Sequence, residues 1–236
     1  MSLGLAAMTT TGPRSGTPLR ALLFDFDGTM MDTEQAHFAA WRHIFEIHGA
    51  QIDEHDWAGV VGTVGSDFDP VALLQRRTTV PLDTEQVMVR REERFRTLYR
   101  QLELRPGVDA LAQSARDAGL AVAIVTNAEP EWVELHLDRL GELDQWPHMF
   151  AAGIDPERAK PSPVLYLEAL SKLGVSAEEA IAIEDSPTGI RAAQAAGLRC
   201  VAYPHPLTSV LDLSAADAIV DSLEGITLAQ LESLVG

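Results

Sequence analysis

The stretch Arg20-Ala21-Leu22-Leu23-Phe24-Asp25-Phe26-Asp27-Gly28-Thr29 decides how the rest of the chain reads. Residues 19–24 form a short apolar run that stops abruptly at two aspartates and a glycine, which predicts a buried strand breaking into a turn. In a strand, residues i and i+2 point the same way, so Asp25 and Asp27 bring two carboxylates together at the strand's carboxyl end. Two such carboxylates repel unless a proton or a cation lies between them. Open α/β sheets bind their ligands along this edge, so the pair marks a candidate site.

Outward from that strand the pattern changes twice. Over 33–48 the spacing is helical, with Phe38, Trp41, Phe45 and His48 on one stripe. The charge-rich segment that follows, to about residue 100, reads as mostly helical, with a break at Gly59-Val60-Val61-Gly62-Thr63-Val64-Gly65-Ser66. After Pro106-Gly107 a regular alternation sets in. Helices are expected over 108–118 and 130–140, and strands over 120–125 and 149–152. Ser162 reads as an N-cap with Pro163 at the first helical position, opening a helix that stops at Gly174. A strand over 180–183 follows, then a helix opened by Ser186-Pro187 and ended at Gly197, then strands over 198–202 and 218–220.

Strands alternating with helices predict a doubly wound parallel α/β sheet, Rossmann-like, with helices on both faces. The helical stretch 33–103 interrupts the alternation and reads as an inserted cap. Residues 19–32 and 104–236 then form the α/β core, and 1–18, rich in Ser, Thr, Gly and Pro, a flexible N-terminal tail.

Composition bounds the function. With 236 residues, 46% hydrophobic and 22% charged, the chain has the make-up of an ordinary globular protein large enough for a core and an insert. It contains no apolar stretch of membrane-spanning length and no basic, apolar leader, so neither a membrane partner nor a signal peptide is expected. The net charge of −17, from 18 basic and 35 acidic residues, repels phosphate backbones and argues against nucleic acid. An anionic ligand must then be held by local cations, either a bound metal or a few placed Lys and Arg. The single cysteine, Cys200, excludes an internal disulfide and a thiolate zinc cluster, and a cytoplasmic location is expected. On its apolar strand Cys200 reads as a small core residue. Nothing in the sequence points to an obligate protein partner.

Three further strand ends carry polar groups: Thr126-Asn127, Lys160 in the loop after the third strand, and Glu184-Asp185. Parallel strands deliver all of these to one edge, where four carboxylates, a hydroxyl and an ammonium converge. Each alone reads as a loop residue or a cap, but four in succession at strand ends do not. Hard oxygen donors of this kind suit Mg²⁺, which commonly takes one oxygen from a substrate phosphate.

Taken in order, Asp25-Phe26-Asp27-Gly28-Thr29, Thr126-Asn127, Lys160-Pro161 and Glu184-Asp185-Ser186 resemble the four signature motifs of the haloacid dehalogenase-like hydrolases. Asp32-Thr33-Glu34 and the run from Glu184 through Ser186-Pro187-Thr188-Gly189 to Ala193 are most similar to its β-phosphoglucomutase-like phosphatases. The resemblance implies a Mg²⁺-dependent phosphatase acting on a small phosphorylated metabolite, such as a sugar phosphate. Asp25 would be the nucleophile that becomes an aspartyl-phosphate. Asp27 would be the general acid and base, with its backbone carbonyl a metal ligand. Asp185 and Glu184 would hold the metal, and Thr126, Asn127 and Lys160 the phosphoryl oxygens.

His37 resembles a substrate-contacting residue of a mutase in that subgroup, against the plainer reading of a histidine at a helix surface. The alternative activity is that of β-phosphoglucomutase, an isomerase on the same core. Its cap loop carries a lysine and an arginine around a glycine. With Gly62 aligned there, Val61 and Gly65 are uncharged, Arg76 and Arg77 follow on a solvated helix, and hydrolysis is expected over isomerisation. A dehalogenase would leave Asp27 and Glu184-Asp185 without a purpose, and a binding protein would be expected to lack at least one motif residue.

Overall fold

A computed structural model of the protein describes residues 17–58 and 68–235. The glycine-rich break at 59–66, and all of the expected tail except Thr17 and Pro18, lie outside the described residues.

Six parallel strands run in the order β3-β2-β1-β4-β5-β6: β1 (Ala21–Phe24), β2 (Ala121–Thr126), β3 (Met149–Ala151), β4 (Ala180–Glu184), β5 (Arg199–Ala202) and β6 (Ala218–Ile219). The chain winds from β1 outward to β3, then returns to β4 on the opposite side of β1. A topological switch point therefore lies between β1 and β4, in register from Ala21↔Ala180 to Phe24↔Ile183. The doubly wound sheet expected from the alternation is present.

The two faces of the sheet differ in bulk. Leu22, Phe24, Val122, Ile124, Ile181 and Ile183 face one way and pack on α5 (Val108–Asp117) and α9 (Leu228–Val235). Ala21, Leu23, Ala123, Ala180, Ala182 and Cys200 face the other, against α7 (Val164–Leu173) and α8 (Pro187–Ala195). Period-two alternation puts large residues on one face and mostly alanine on the other, so α7 and α8 approach the sheet closely. Helix α6 (Pro130–Leu140) follows β2.

Between β1 and α5 lie α1 (Thr33–Ile47), α2 (Glu54–Ala58), α3 (Pro70–Arg77) and α4 (Thr84–Tyr99). They enclose a second core of Phe38, Trp41, Ile44, Phe45, Trp57, Leu74 and Val87, joined by Leu207 from the loop after β5. Asp32 caps α1 by accepting the Gln35 N–H at 3.2 Å. No helix among the described residues is long and apolar enough to cross a membrane.

Two local expectations are corrected. The N-cap of α7 is Pro163, not Ser162, and no side chain caps that end. Pro163 already holds near-helical angles (φ −76°, ψ −3°), so the helix begins one residue later than the Ser-Pro signal suggests. Helix α9 was not expected, although its signal is present. Thr227 and Gln230 form a reciprocal cap, the Thr227 N–H reaching Gln230 Oε1 at 2.9 Å and the Gln230 N–H reaching Thr227 Oγ1 at 3.2 Å.

Arg105 ties the loops that carry the site. Its guanidinium donates to the carbonyls of Gly28, of Tyr203 (2.9 Å) and of Pro204 (2.7 Å), and lies 3.6 Å over the Tyr203 ring. A lysine cannot reproduce this planar fork. Arg105→Lys is expected to lower stability by about 2 kcal/mol or more, read as a fall in the denaturation midpoint at constant slope.

Candidate active site

At the switch point the first strand ends, but its pairing continues for one residue, because the Asp25 N–H donates to the Ile183 carbonyl at 3.0 Å. That bond sets Asp25 beside β4. Phe26 turns into the core while Asp25 and Asp27 face a cavity of about 820 Å³. All eight sequence-designated residues converge here. Asp25, Asp27, His37, Thr126, Asn127, Lys160 and Asp185 line the cavity, and Glu184 lies just beneath its floor, hydrogen-bonded to Lys160.

Lys160 is the hub. Its ammonium donates to Asp25 Oδ1 (2.5 Å), to the Val125 carbonyl (2.6 Å) and to Glu184 Oε1 (2.7 Å). Burial alone would lower its pKa, but the carboxylates of Asp25 and Glu184 outweigh that and hold it above the usual lysine range. Asn127 braces the same loop. Its Oδ1 accepts the Lys160 N–H at 2.7 Å and its Nδ2 donates to the Lys160 carbonyl at 3.4 Å. The side-chain amide is thus committed to positioning the lysine. Thr126, fully buried, accepts the Ala128 N–H at 3.0 Å and keeps its hydroxyl proton for a ligand.

The carboxylates divide into two sets. Asp25, Glu184 and Asp185 offer oxygens within 4.8 Å of one another. Glu184 accepts the Tyr166 hydroxyl at 2.5 Å on the oxygen that Lys160 holds, while its other oxygen, Oε2, is buried without a partner. Burial and the Asp25 charge push Asp185 up, and burial does the same to Glu184 against the pull of Lys160. A buried cluster of hard donors with one orphaned oxygen fits a divalent cation. Asp27 stands apart. Its Oδ1 accepts Thr33 Oγ1 at 2.7 Å and Trp132 Nε1 at 3.0 Å. Burial, opposed by these two bonds and aided by the Asp25 charge, raises its pKa to about 6.

Glycines leave room for this cluster. Gly28 adopts φ +87°, and a Cβ there would lie 2.3 Å from Asp185 Oδ2. A Cβ on Gly189, inside α8, would lie 1.8 Å from Glu184 Oε2.

The helical insert supplies the far wall: Glu34, His37, Trp41, Trp57, Arg91 and Phe95. His37 stacks on Phe95 at 4.0 Å, and its Nδ1 contacts the Arg91 guanidinium. Burial and the Arg91 charge hold it neutral, lowering its pKa to about 3. Glu34 is raised to about 7 by burial and by the nearby carboxylates of Asp27 and Asp185. Sequence reading missed Arg91, Trp132 and Tyr166 as site residues. Arg91 hides in the charged run Arg90-Arg91-Glu92-Glu93-Arg94. Tyr166 carried a weak signal, as a hydroxyl in the otherwise apolar opening of α7.

A family model described as haloacid dehalogenase-like hydrolase matches residues 19–197. YhcW of Bacillus subtilis (strain 168), provisionally named a phosphatase, is 36% identical over 213 residues, covering 90% of this chain and 96% of its own. The phosphorylated carbohydrates phosphatase of Thermotoga maritima is 28% identical over 202 residues, covering 85% and 93%. Among solved structures, a variant of CbbY from Rhodobacter sphaeroides in complex with xylulose 1,5-bisphosphate superposes with a TM-score of 0.68 at 32% identity. That superposition covers 90% of this chain and 99% of the other.

Alanine inside a helix normally outperforms glycine by about 1 kcal/mol. At Gly189 the sign is expected to reverse, because the added methyl meets the Glu184 carboxylate. Gly189→Ala should lose about 1–3 kcal/mol in denaturant unfolding and weaken Mg²⁺ binding measured by calorimetry.

Proposed function

The chain belongs to the haloacid dehalogenase-like hydrolases, and from that premise we propose that it is a Mg²⁺-dependent phosphatase of small phosphomonoesters, sugar phosphates foremost. The observation that carries this is the split between two aspartates two residues apart: Asp25 is held by the Lys160 ammonium at 2.5 Å, while Asp27 has its carboxyl pushed up to about 6. One is set up as a nucleophile and the other as a proton donor, the division of labour that paired carboxylates need.

In the first step an Asp25 oxygen bonds to phosphorus as the bond from phosphorus to the leaving oxygen breaks, and Asp27 gives that oxygen its proton. In the second, Asp27 takes a proton from water, whose oxygen bonds to phosphorus and releases Asp25. Two easier displacements replace one hard one. Thr126 and Lys160 hold the nonbridging oxygens, Lys160 by exchanging one of its three present acceptors for the phosphoryl group, with Asn127 keeping the Lys160 loop in place. Mg²⁺ would be held by Asp25, Glu184, Asp185 and the Asp27 carbonyl, and would neutralise phosphoryl charge that the acidic surface otherwise repels.

Residues 33–103 act as a cap whose inner wall selects the substrate, with 19–32 and 104–236 as the catalytic core. Aromatic rings and the neutral His37 offer apolar and hydrogen-bonding contacts, and Arg91 offers the charge for a second anionic group. The named relatives support carbohydrate phosphates as the class. The single buried thiol, Cys200, is in keeping with a cytoplasmic protein. Isomerisation is the second reading, favoured by Arg91, a cation placed to hold a distal phosphate. The loop around Val61 and Gly65 lies outside the described residues.

The deciding assay screens phosphorylated metabolites with Mg²⁺ while following free phosphate and product identity together. Phosphate release is expected to exceed isomerisation, to vanish with excess chelator and to return with added Mg²⁺. Asp25→Asn should retain the fold and lose all but a trace of turnover. Full activity in chelator, or glucose 6-phosphate forming from β-glucose 1-phosphate faster than free phosphate, would overturn the proposal.

Arg91→Ala should raise KM for a sugar bisphosphate by about tenfold or more while changing kcat little. This is the signature of lost uniform binding, read from steady-state kinetics on the bisphosphate and a matched monophosphate.

A further inference from the structure

Trp132 stands in the first turn of α6, on the core side of the boundary with the helical insert. Its indole is held on three sides. Phe95 stacks on it at 5.9 Å and 18°, Tyr99 meets it edge-on at 5.7 Å, and His136 does so at 4.2 Å. His136 is fully buried with neither ring nitrogen hydrogen-bonded, so it acts here as an apolar buttress. An indole fixed in this way has one polar atom to spend, and its N–H is aimed at Asp27 Oδ1 at 3.0 Å.

Thr33, in the first turn of α1, donates to the same oxygen at 2.7 Å. Among the described residues no hydrogen bond reaches Oδ2. A carboxyl whose one oxygen accepts two donors keeps its proton on the other oxygen, because the doubly bonded-to oxygen is the weaker base. The cavity therefore receives the O–H of Asp27.

We propose that Trp132 is a positioning residue, which with Thr33 pins Oδ1 and so presents the Asp27 Oδ2 proton to the leaving oxygen. The inference rests on the reading of Asp27 as general acid. Trp132 takes no part in bond making; the proton passes from Oδ2 to the leaving oxygen as its bond to phosphorus breaks. Because the indole sits on Phe95 and Tyr99 of α4, the donor also ties the acid to the helical insert, so the Asp27 carboxyl is fully oriented only while insert and core are packed together.

The experiment is a leaving-group series. kcat/KM is measured with Mg²⁺ for p-nitrophenyl phosphate, whose leaving group needs little protonation, and for β-glycerol phosphate, whose alkoxide needs much. The proteins are wild type, Trp132→Phe, and a form with β-(3-benzothienyl)alanine at 132, which keeps the bicyclic shape and replaces N–H by sulfur. Both changes are expected to cost about tenfold or more on the alkyl ester and within about threefold on the aryl ester. Equal losses on both esters would show a merely structural role and overturn the proposal, as would no loss on either. If Trp132→Phe does not fold, the isosteric form decides alone. Asp27→Asn is the separate control: if it fails to penalise the alkyl ester selectively, the general-acid reading falls and the inference falls with it. If it does penalise that ester while the Trp132 forms do not, the inference alone falls.

Discussion

One buried ammonium holds together the strand ends that form the floor of the site. Lys160 is 4% exposed and spends its three N–H donors on Asp25, Val125 and Glu184, leaving none unsatisfied. Desolvating three charges is costly, and their mutual attraction repays it only when geometry and hydrogen bonding are complete. Here the ammonium side is complete, and Glu184 Oε2 is the one oxygen of the trio left buried without a partner. Asn127 holds the lysine's backbone, Tyr166 shares the Glu184 oxygen, and the sheet sets the strand ends that bear the carboxylates. Removing any one partner would leave a buried charge uncompensated.

That constraint explains why the site lies at the switch point. β1 and β4 are adjacent strands whose following connections lead to helices on opposite faces, α5 on one and α8 on the other, and Asp25 and Asp185 lie together at their ends. Arg105, binding carbonyls of the loops after β1 and β5, keeps that floor from spreading. His205 closes the back, its ring nitrogens 3.1 Å from Asp185 and 3.5 Å from Asp32.

The sheet and the catalytic cluster were legible in the sequence because both are written in local patterns. An apolar run followed by Asp25-Phe26-Asp27-Gly28 needs no partner to be read, and β2 and β4 repeat the design of an apolar run ending in polar residues. What escaped was set by long-range meetings. Trp132 and Asp27 are 105 positions apart, and Arg91 and His37 54 positions apart. Neither contact leaves a periodic trace, since a tryptophan in a first helical turn or an arginine among arginines is ordinary by itself. Ser162 failed as a cap for a related reason. Serine before proline is a statistical signal, whereas the boundary depended on the angles Pro163 adopts under α7's packing. For Glu184 the sequence supplied the residue but not its two-sided use, one oxygen held by Lys160 and Tyr166 and the other left open.

The alanines beneath α7 have a consequence for how such a protein can drift. Ala123 and Ala182 lie in the same packed cluster as Tyr166, whose hydroxyl must reach Glu184 across 2.5 Å. They serve as a spacer, and the thickness of that spacer calibrates a hydrogen bond none of them touches. An added methyl group there displaces a helix by an amount comparable with the tolerance of the bond. Freedom to substitute on this face is therefore narrow for a reason of dimension rather than of chemistry.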